Sequence, residues 1–437
     1  MADPVLTVAE RLRPTFAKIA GGQESDPVVR RSDRADAQVN GSLALAKVLG
    51  KTPREVAQMV LDAADLSAVC SATEIAGPGF INITFSNSFL ASELAVAAAD
   101  TRLGVRLSPA PEVVDIDYSA PNVAKEMHVG HLRSTVIGDA LVRMLEFVGH
   151  RVIRENHIGD WGTPFGMLIE HLIDLGEAEA ANELSVGDLD SFYRQARTKF
   201  DASDEFKERA RARVVLLQGG DDETLRMWKL LVGESTRYFD RVYRVLDVLL
   251  TSDDIMGESA YNHLLAEVVE RLKKSGMLQT SDGAEVVFVD GFVNRDNEPL
   301  PLIIRKTDGG YNYATSDLAC VIDRVERLGA TRILYVVGAP QAQHLEMVGV
   351  VSRKAGWVPE TTQMVHVAFG NVLGNDRKIM KSRSGEAVKL DALLTEAVER
   401  AGTSVREKNA DLSVEQQSEI ARQVGIGAIK YADLSTD

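Results

Sequence analysis

Lys125, His128, Gly130 and His131 fall within one short stretch and form the group in this chain best suited to chemistry on an anion. Imidazole N–H groups donate hydrogen bonds without carrying a full charge, and an ammonium adds one. A glycine beside them lets a flat ring come close to the backbone. Such a set fits nucleotide activation, in which charge grows on a leaving phosphate and is met by donors and cations more than by covalent help. The lettering H-x-G-H recurs by accident, and two histidines can merely decorate a first helical turn, so the surroundings must decide.

Those surroundings read as a strand, a loop and a helix. Val114, Ile116 and Tyr118 alternate with Asp115 and Asp117, whereas Leu132, Val136, Ile137, Ala140, Leu141, Met144, Leu145 and Val148 follow helical spacing. This is half of a βαβ unit, with the histidines at a helix start. Free N–H groups and the positive end of the helix dipole favour a phosphate there. Farther on, Leu302-Ile303-Ile304 is read as a strand resuming the same sheet, and Leu318, Val321, Ile322, Val325 and Leu328 as a helix face. Ile333 to Val337 reads as a buried strand ending at Gly338, and a further helix and strand run to about Gly370. Ligands of open parallel sheets sit beyond the carboxyl ends of the strands, which gathers Asp117, Tyr313, Asp317, Gly338 and Gln341 around one pocket.

The rest of the chain arranges itself about this sheet. Residues 1–108 read as an α+β unit, with an amphipathic helix carrying Val8, Leu12, Phe16 and Ile19, a helix opening at Thr52-Pro53, and a Gly77-Pro78-Gly79 turn before the strand Phe80 to Phe85. Ser108-Pro109-Ala110-Pro111 reads as a linker. Residues 167–284 are mainly helical and charged, with helices at Phe192 to Phe200, Glu205 to Leu217 and Glu223 to Leu250 broken at Gly219-Gly220; their Lys and Arg residues read as a solvated face. Net charge is 49 − 64 = −15, so any RNA contact must come from local patches rather than the overall field. Cys70 and Cys320 lie 250 positions apart with no C-x-x-C spacing, which implies buried thiols and no structural metal. The N-terminus has no signal-peptide pattern, and no run is apolar enough to span a membrane.

The segment S-A-P-N-x-A-K-x-x-H-x-G-H-L-R-S-T around His128 resembles the corresponding block of arginyl-tRNA synthetases, which are class I aminoacyl-tRNA synthetases. Gly159-Asp160-Trp161-Gly162-Thr163-Pro164-Phe165-Gly166, Tyr313-Ala314-Thr315-Ser316-Asp317, Gln341-Ala342-Gln343-His344 and Lys378-Ile379-Met380-Lys381-Ser382-Arg383-Ser384-Gly385 resemble further family blocks in the same order. The implied fold is an α/β class I synthetase: a Rossmann-like parallel-sheet catalytic domain with a helical insertion and an N-terminal α+β domain. Its segments are a tRNA-contacting domain at 1–108, a first Rossmann half at 109–166, the insertion at 167–284, a second Rossmann half with a basic loop at 285–385, and a stem-contact region at 386–437. Family members continue into an all-helical anticodon-binding domain, and the expectation is a chain lacking it.

The implied activity joins arginine to tRNA(Arg) through arginyl-adenylate, with ATP as substrate and Mg²⁺ accompanying it, in a cytoplasmic monomer without membrane attachment. His128, Gly130, His131 and Gly338 would line the ATP site. The basic loop departs from a strict K-M-S-K-S and offers Lys378, Lys381 and Arg383, so Lys125 is expected to supply part of the missing charge. A guanidinium is a planar fork of donors and calls for carboxylates in its plane. Asp117 and Asp317 are the candidates. Asn122 and Gln341 would hold the amino and carboxylate ends of arginine, and Tyr313 would pack along its stem. Two other readings are a different H-x-G-H nucleotidylyltransferase and a non-catalytic paralogue that keeps the fold and binds arginine and ATP only.

Overall fold

The computed structural model describes residues 3–176, 189–294, 296–307, 309–371 and 389–435. The chain divides into two units, Met1–Pro109 and Ala110–Asp437. In the first, α1 (Pro4–Ile19) starts at Asp3, whose carboxylate accepts from the Val5 N–H at 3.0 Å. Val8, Leu12 and Phe16, each one turn apart, are fully buried. They share a core with a four-stranded antiparallel sheet ordered β1-β2-β4-β3, made of β1 (Val29–Ser32), β2 (Ala35–Val39), β3 (Cys70–Ala76) and β4 (Phe80–Phe85). β4 alternates as a half-buried strand must, with Ile81, Ile83 and Phe85 inward. Thr52 and Glu55 cap the helix Pro53–Ala63 reciprocally. Gly79 sits at φ +143°, where an added Cβ would lie 2.5 Å from the Pro53 backbone.

The second unit is built on a parallel sheet ordered β11-β10-β5-β6, from β5 (Val113–Asp117), β6 (Arg151–Glu155), β10 (Arg332–Tyr335) and β11 (Gln363–His366). The helix Val129–Phe147 joins β5 to β6 as the βαβ pattern predicts. It lies so close to the sheet that a Cβ on Gly138 would be 2.3 Å from the Tyr118 ring. β5 is central and almost wholly buried, so the alternation of Asp115 and Asp117 does not mark a solvated face: both carboxylates are inside.

One strand is assigned differently from the sequence reading. Leu302-Ile303-Ile304 lies in β9 (Pro299–Arg305), which pairs antiparallel with β8 (Ala284–Val293), itself paired with β7 (Gln279–Ser281) in a separate three-stranded sheet. β8 ends at Val293 and β9 begins at Pro299, too few residues apart for the long crossover that parallel neighbours need. An apolar run does not reveal which sheet it will join.

The helices Leu189–Ala202, Asp204–Gly219 and Asp222–Leu246 form the charged block. The last ends at Leu246 rather than Leu250, because Asp247 takes a left-handed conformation (φ 49°). Phe192, Phe206, Leu231 and Phe239 from this block share one core with Val114 and Ile116 of the sheet. The helices Leu390–Lys408 and Val414–Leu434 pack on each other at Gly425, where a Cβ would be 2.8 Å from Val398.

Candidate active site

His128 is the N-cap of the helix Val129–Phe147, and its Nδ1 accepts from the Gly130 N–H at 3.0 Å. The Nδ1 of His131 accepts from the His128 N–H at 3.1 Å. The two rings stack with centroids 3.9 Å apart. This is a capping box written in imidazoles instead of hydroxyl and carboxylate. Burial lowers the proton affinity of both rings, taking His131 down to about 3 with help from His128 and Lys125. Both are therefore neutral at pH 7, and because Nδ1 is the acceptor in each, the proton resides on Nε2. The helix start thus presents two neutral N–H donors in place of the Gly130 and His128 backbone N–H groups that their Nδ1 atoms occupy. Gly130 has a local cause as well: a Cβ there would meet the His128 ring at 2.8 Å.

The Lys125 ammonium lies over the Tyr193 ring, 4.4 Å from its centroid. Both border a cavity of about 230 Å³ shared with His128, Arg194 and Lys389. Lys389 pairs with Glu126 at 3.0 Å, and its backbone bridges to His128. Lys378, Lys381 and Arg383 lie outside the described residues.

The loop between β5 and this helix is strained. Ser119, Ala120 and Ala124 have φ of 74°, 46° and 57°, unusual for residues with a Cβ. Hydrogen bonds from distant segments hold it. The Ser119 hydroxyl meets Tyr243 Oη at 2.8 Å, the Ala120 N–H donates to Asn156 Oδ1 at 3.1 Å, and the Asn156 side chain donates in turn to Tyr243 at 2.9 Å. The Ala124 and Met127 N–H groups donate to Ser235 Oγ at 2.9 Å and Tyr238 Oη at 3.2 Å. Ser235, Tyr238 and Tyr243 all belong to the helix Asp222–Leu246, so the charged helical block is the scaffold of the site loop. No sequence pattern singled them out.

Asn122 is exposed and bridges to Gly159, where a Cβ would lie 2.4 Å from Asn122 Oδ1. The glycine therefore makes room for the amide. Asp160 accepts from the Ser259 N–H and hydroxyl at 2.8 and 2.6 Å, and Trp228 donates to the Asp160 carbonyl at 2.7 Å. The Gly-Asp-Trp-Gly block is thus a joint between loops.

Tyr313 and Asp317 stand in the first two turns of the helix Tyr313–Glu326. Asp317 Oδ2 lies 2.5 Å from His344 Nε2, and the Tyr313 ring meets the His344 ring edge-on at 4.9 Å. His344 opens the helix Ala342–Lys354 just after the exposed Gln341, so these residues are neighbours, while Gly338 bridges to Phe369. His157 and Cys320 border Asp317, their ligating atoms within 4.8 Å of one another. Burial pushes the Cys320 thiol up, so it is protonated at neutral pH.

Asp117 is not free. Its Oδ2 accepts from Arg324 Nη2 at 2.7 Å, Glu155 Oε2 accepts from Arg324 Nε at 2.6 Å, and Asp115 lies 3.2 Å away. Arg324 is fully buried. Sequence reasoning missed it, although the signal was present: Tyr313, Asp317, Cys320 and Arg324 are spaced 4, 3 and 4 residues apart and share a helix face.

A model described as tRNA synthetases class I (R), catalytic domain, matches residues 94–437, and one for the arginyl tRNA synthetase N-terminal domain matches residues 7–85. An arginine–tRNA ligase of Thermobifida fusca (strain YX) is 53% identical over 437 residues, 100% of this chain and 76% of the relative. One from Yersinia enterocolitica is 50% identical over 424 residues, 96% of this chain and 73% of the relative. Arginyl-tRNA synthetase from Plasmodium falciparum superposes with a TM-score of 0.79 at 25% identity, over 99% of this chain and 74% of that one. That of Thermus thermophilus gives 0.75 at 21%, over 99% and 75%, and speaks for the fold alone.

Proposed function

The chain belongs to the arginyl-tRNA synthetase family of class I, and from that membership we infer that it is an enzyme that uses ATP to join arginine to tRNA. Arginine and ATP give arginyl-adenylate and pyrophosphate; the arginyl group then passes to the terminal ribose of tRNA. The reading of a non-catalytic chain finds no support among these relatives.

In the first step a carboxylate oxygen of arginine forms a bond to the α-phosphorus while the bond to the β-phosphate oxygen breaks, so negative charge gathers on pyrophosphate. The observation that carries the assignment of residues is the pair of neutral imidazoles, whose Nδ1 atoms are occupied and whose Nε2–H groups are left to donate. Neutral donors fixed before the reaction cost no reorganisation when charge develops. Lys125 adds a cation on the same side, and Lys378, Lys381 and Arg383 complete the positive charge in this reading. Mg²⁺ enters with ATP as part of the substrate. Gly130 and Gly338 let the nucleotide approach the backbone.

Asp317 and Asp117 take the guanidinium, Tyr313 lies along the stem, and Asn122 and Gln341 take the amino and carboxylate ends. Action as a cytoplasmic monomer belongs to the same proposal. The test is ATP–pyrophosphate exchange in the presence of tRNA. Exchange should depend on arginine and fall steeply when lysine replaces it, since one ammonium cannot satisfy two fixed carboxylates. Lysine-driven exchange near the arginine rate would contradict the proposal.

A further inference from the structure

Glu155, Asp117 and Tyr335 occupy the last positions of β6, β5 and β10 and face one another across the sheet in register. Paired residues of neighbouring strands project from the same face. Arg324 lies across this row, with its guanidinium carbon 5.2 Å from the centroid of the Tyr335 ring and its N–H groups on Glu155 and Asp117. A guanidinium can bond two carboxylates on different strands at once because its donors point along fixed directions; an ammonium cannot hold both in that geometry.

Three acids, Asp115, Asp117 and Glu155, surround this one buried cation. Burial raises the Asp115 carboxyl well above its ordinary range. Asp117 and Glu155 share the one guanidinium between them. Asp117 Oδ1 is buried and has no hydrogen-bond partner, a costly state for a carboxylate oxygen. More acids than cations, and an unused acceptor on Asp117, both call for a second cation.

We propose that Arg324 is a positioning residue for arginine recognition: by holding Oδ2 of Asp117 it reserves Oδ1 for the guanidinium of the substrate. The proposal rests on the reading that Asp117 binds arginine. Arg324 stands on the same helix face as Tyr313 and Asp317, about 10 Å deeper along the axis than Asp317 by helical rise, so one helix carries both the mouth of the pocket and the support behind it.

The experiment is a double-mutant cycle on the full chain, read in tRNA-dependent pyrophosphate exchange with KM measured separately for arginine and ATP. Arg324→Lys should raise the arginine KM at least tenfold and change the ATP KM less than twofold. Asp117→Asn should raise the arginine KM as well, and the double variant should be no worse than Asp117→Asn alone, because the two residues act through one oxygen. Multiplying effects, parallel changes in both KM values, or an unchanged arginine KM in Arg324→Lys would overturn the proposal. If Asp117→Asn alone leaves the arginine KM unchanged, it is the underlying reading of Asp117 that fails. Should Arg324→Lys not fold, Arg324→Met combined with Glu155→Gln removes the buried cation together with one of its acids and keeps Asp117, and its arginine KM decides by the same criterion.

Discussion

His131 has two separable jobs, and three substitutions at this position distinguish them. Its Nδ1 accepts the His128 N–H, a helix-capping bond worth about 1 kcal/mol when removed. Its Nε2–H is the proposed donor to the developing phosphate charge, and loss of one such donor costs on the order of 10²- to 10³-fold in rate. His131→Ala removes both: the melting temperature should fall by a few degrees and adenylate formation by at least about 10²-fold, with arginine affinity nearly unchanged. His131→Gln restores the cap through its amide oxygen and keeps an N–H donor, so stability should return and the rate should recover to within about tenfold of the parent. His131→Glu also restores the cap, and the helix dipole favours an acid there, yet it sets a negative charge against the phosphates. It should therefore melt like the parent and activate arginine no better than the alanine variant. Thermal melts and pyrophosphate exchange on the same preparations provide the comparison. A glutamate variant as active as the glutamine one would refute the donor role, as would an alanine variant whose lost activity matches its unfolded fraction.

Asp317→Asn should weaken arginine binding far more than ATP binding in titration calorimetry, because an amide presents a donor to a donor; equal losses would remove Asp317 from the guanidinium site. Lys125→Ala should slow adenylate formation in single turnover while leaving arginine affinity alone, and an unchanged rate would mean its charge is not needed beside the basic loop. Burial raises the Glu258 carboxyl from 4.5 to about 7, so between these values the folded chain keeps a proton that the unfolded chain releases, and stability is lost as pH rises through that window. Glu258→Gln should accordingly stabilise the chain at pH 8 by up to about 3 kcal/mol and by almost nothing near pH 4, as urea midpoints at the two pH values would reveal.

What was legible in the sequence was local. The strand Val113–Asp117, the helix Val129–Phe147, the Thr52 cap and the break at Gly220 each depend on residues a few positions apart, and spacing reports them directly. The pairing of β9 was not legible, because an apolar run has the same pattern whichever sheet it joins. The supports of the Ser119–Met127 loop were beyond reach for a related reason. Tyr243 meets Ser119 across 124 positions and Ser235 meets Ala124 across 111, so no periodicity links donor to acceptor. Family blocks named the residues proposed to face the substrate and were silent on those that hold them.

The two ends of the candidate site solve opposite electrostatic problems with the same device. At the proposed phosphate end growing negative charge must be met by donors, and the chain offers neutral imidazoles locked by backbone N–H groups at a helix start. At the proposed guanidinium end acids are buried, and the chain places its own guanidinium, that of Arg324, against them, bonded to the ends of adjacent strands. Both arrangements are paid for in conformational strain and desolvation before any ligand arrives, in the left-handed Ser119, Ala120 and Ala124 and in the buried charges around Arg324. The loop carrying that strain begins two residues after Asp117 and ends just before the histidines, so a shift in its backbone moves the last residue of β5 and the first turn of the helix together. On the proposed assignment, arginine placement and phosphate contact are coupled through one short segment, and loosening it at Tyr243 should impair both ends at once.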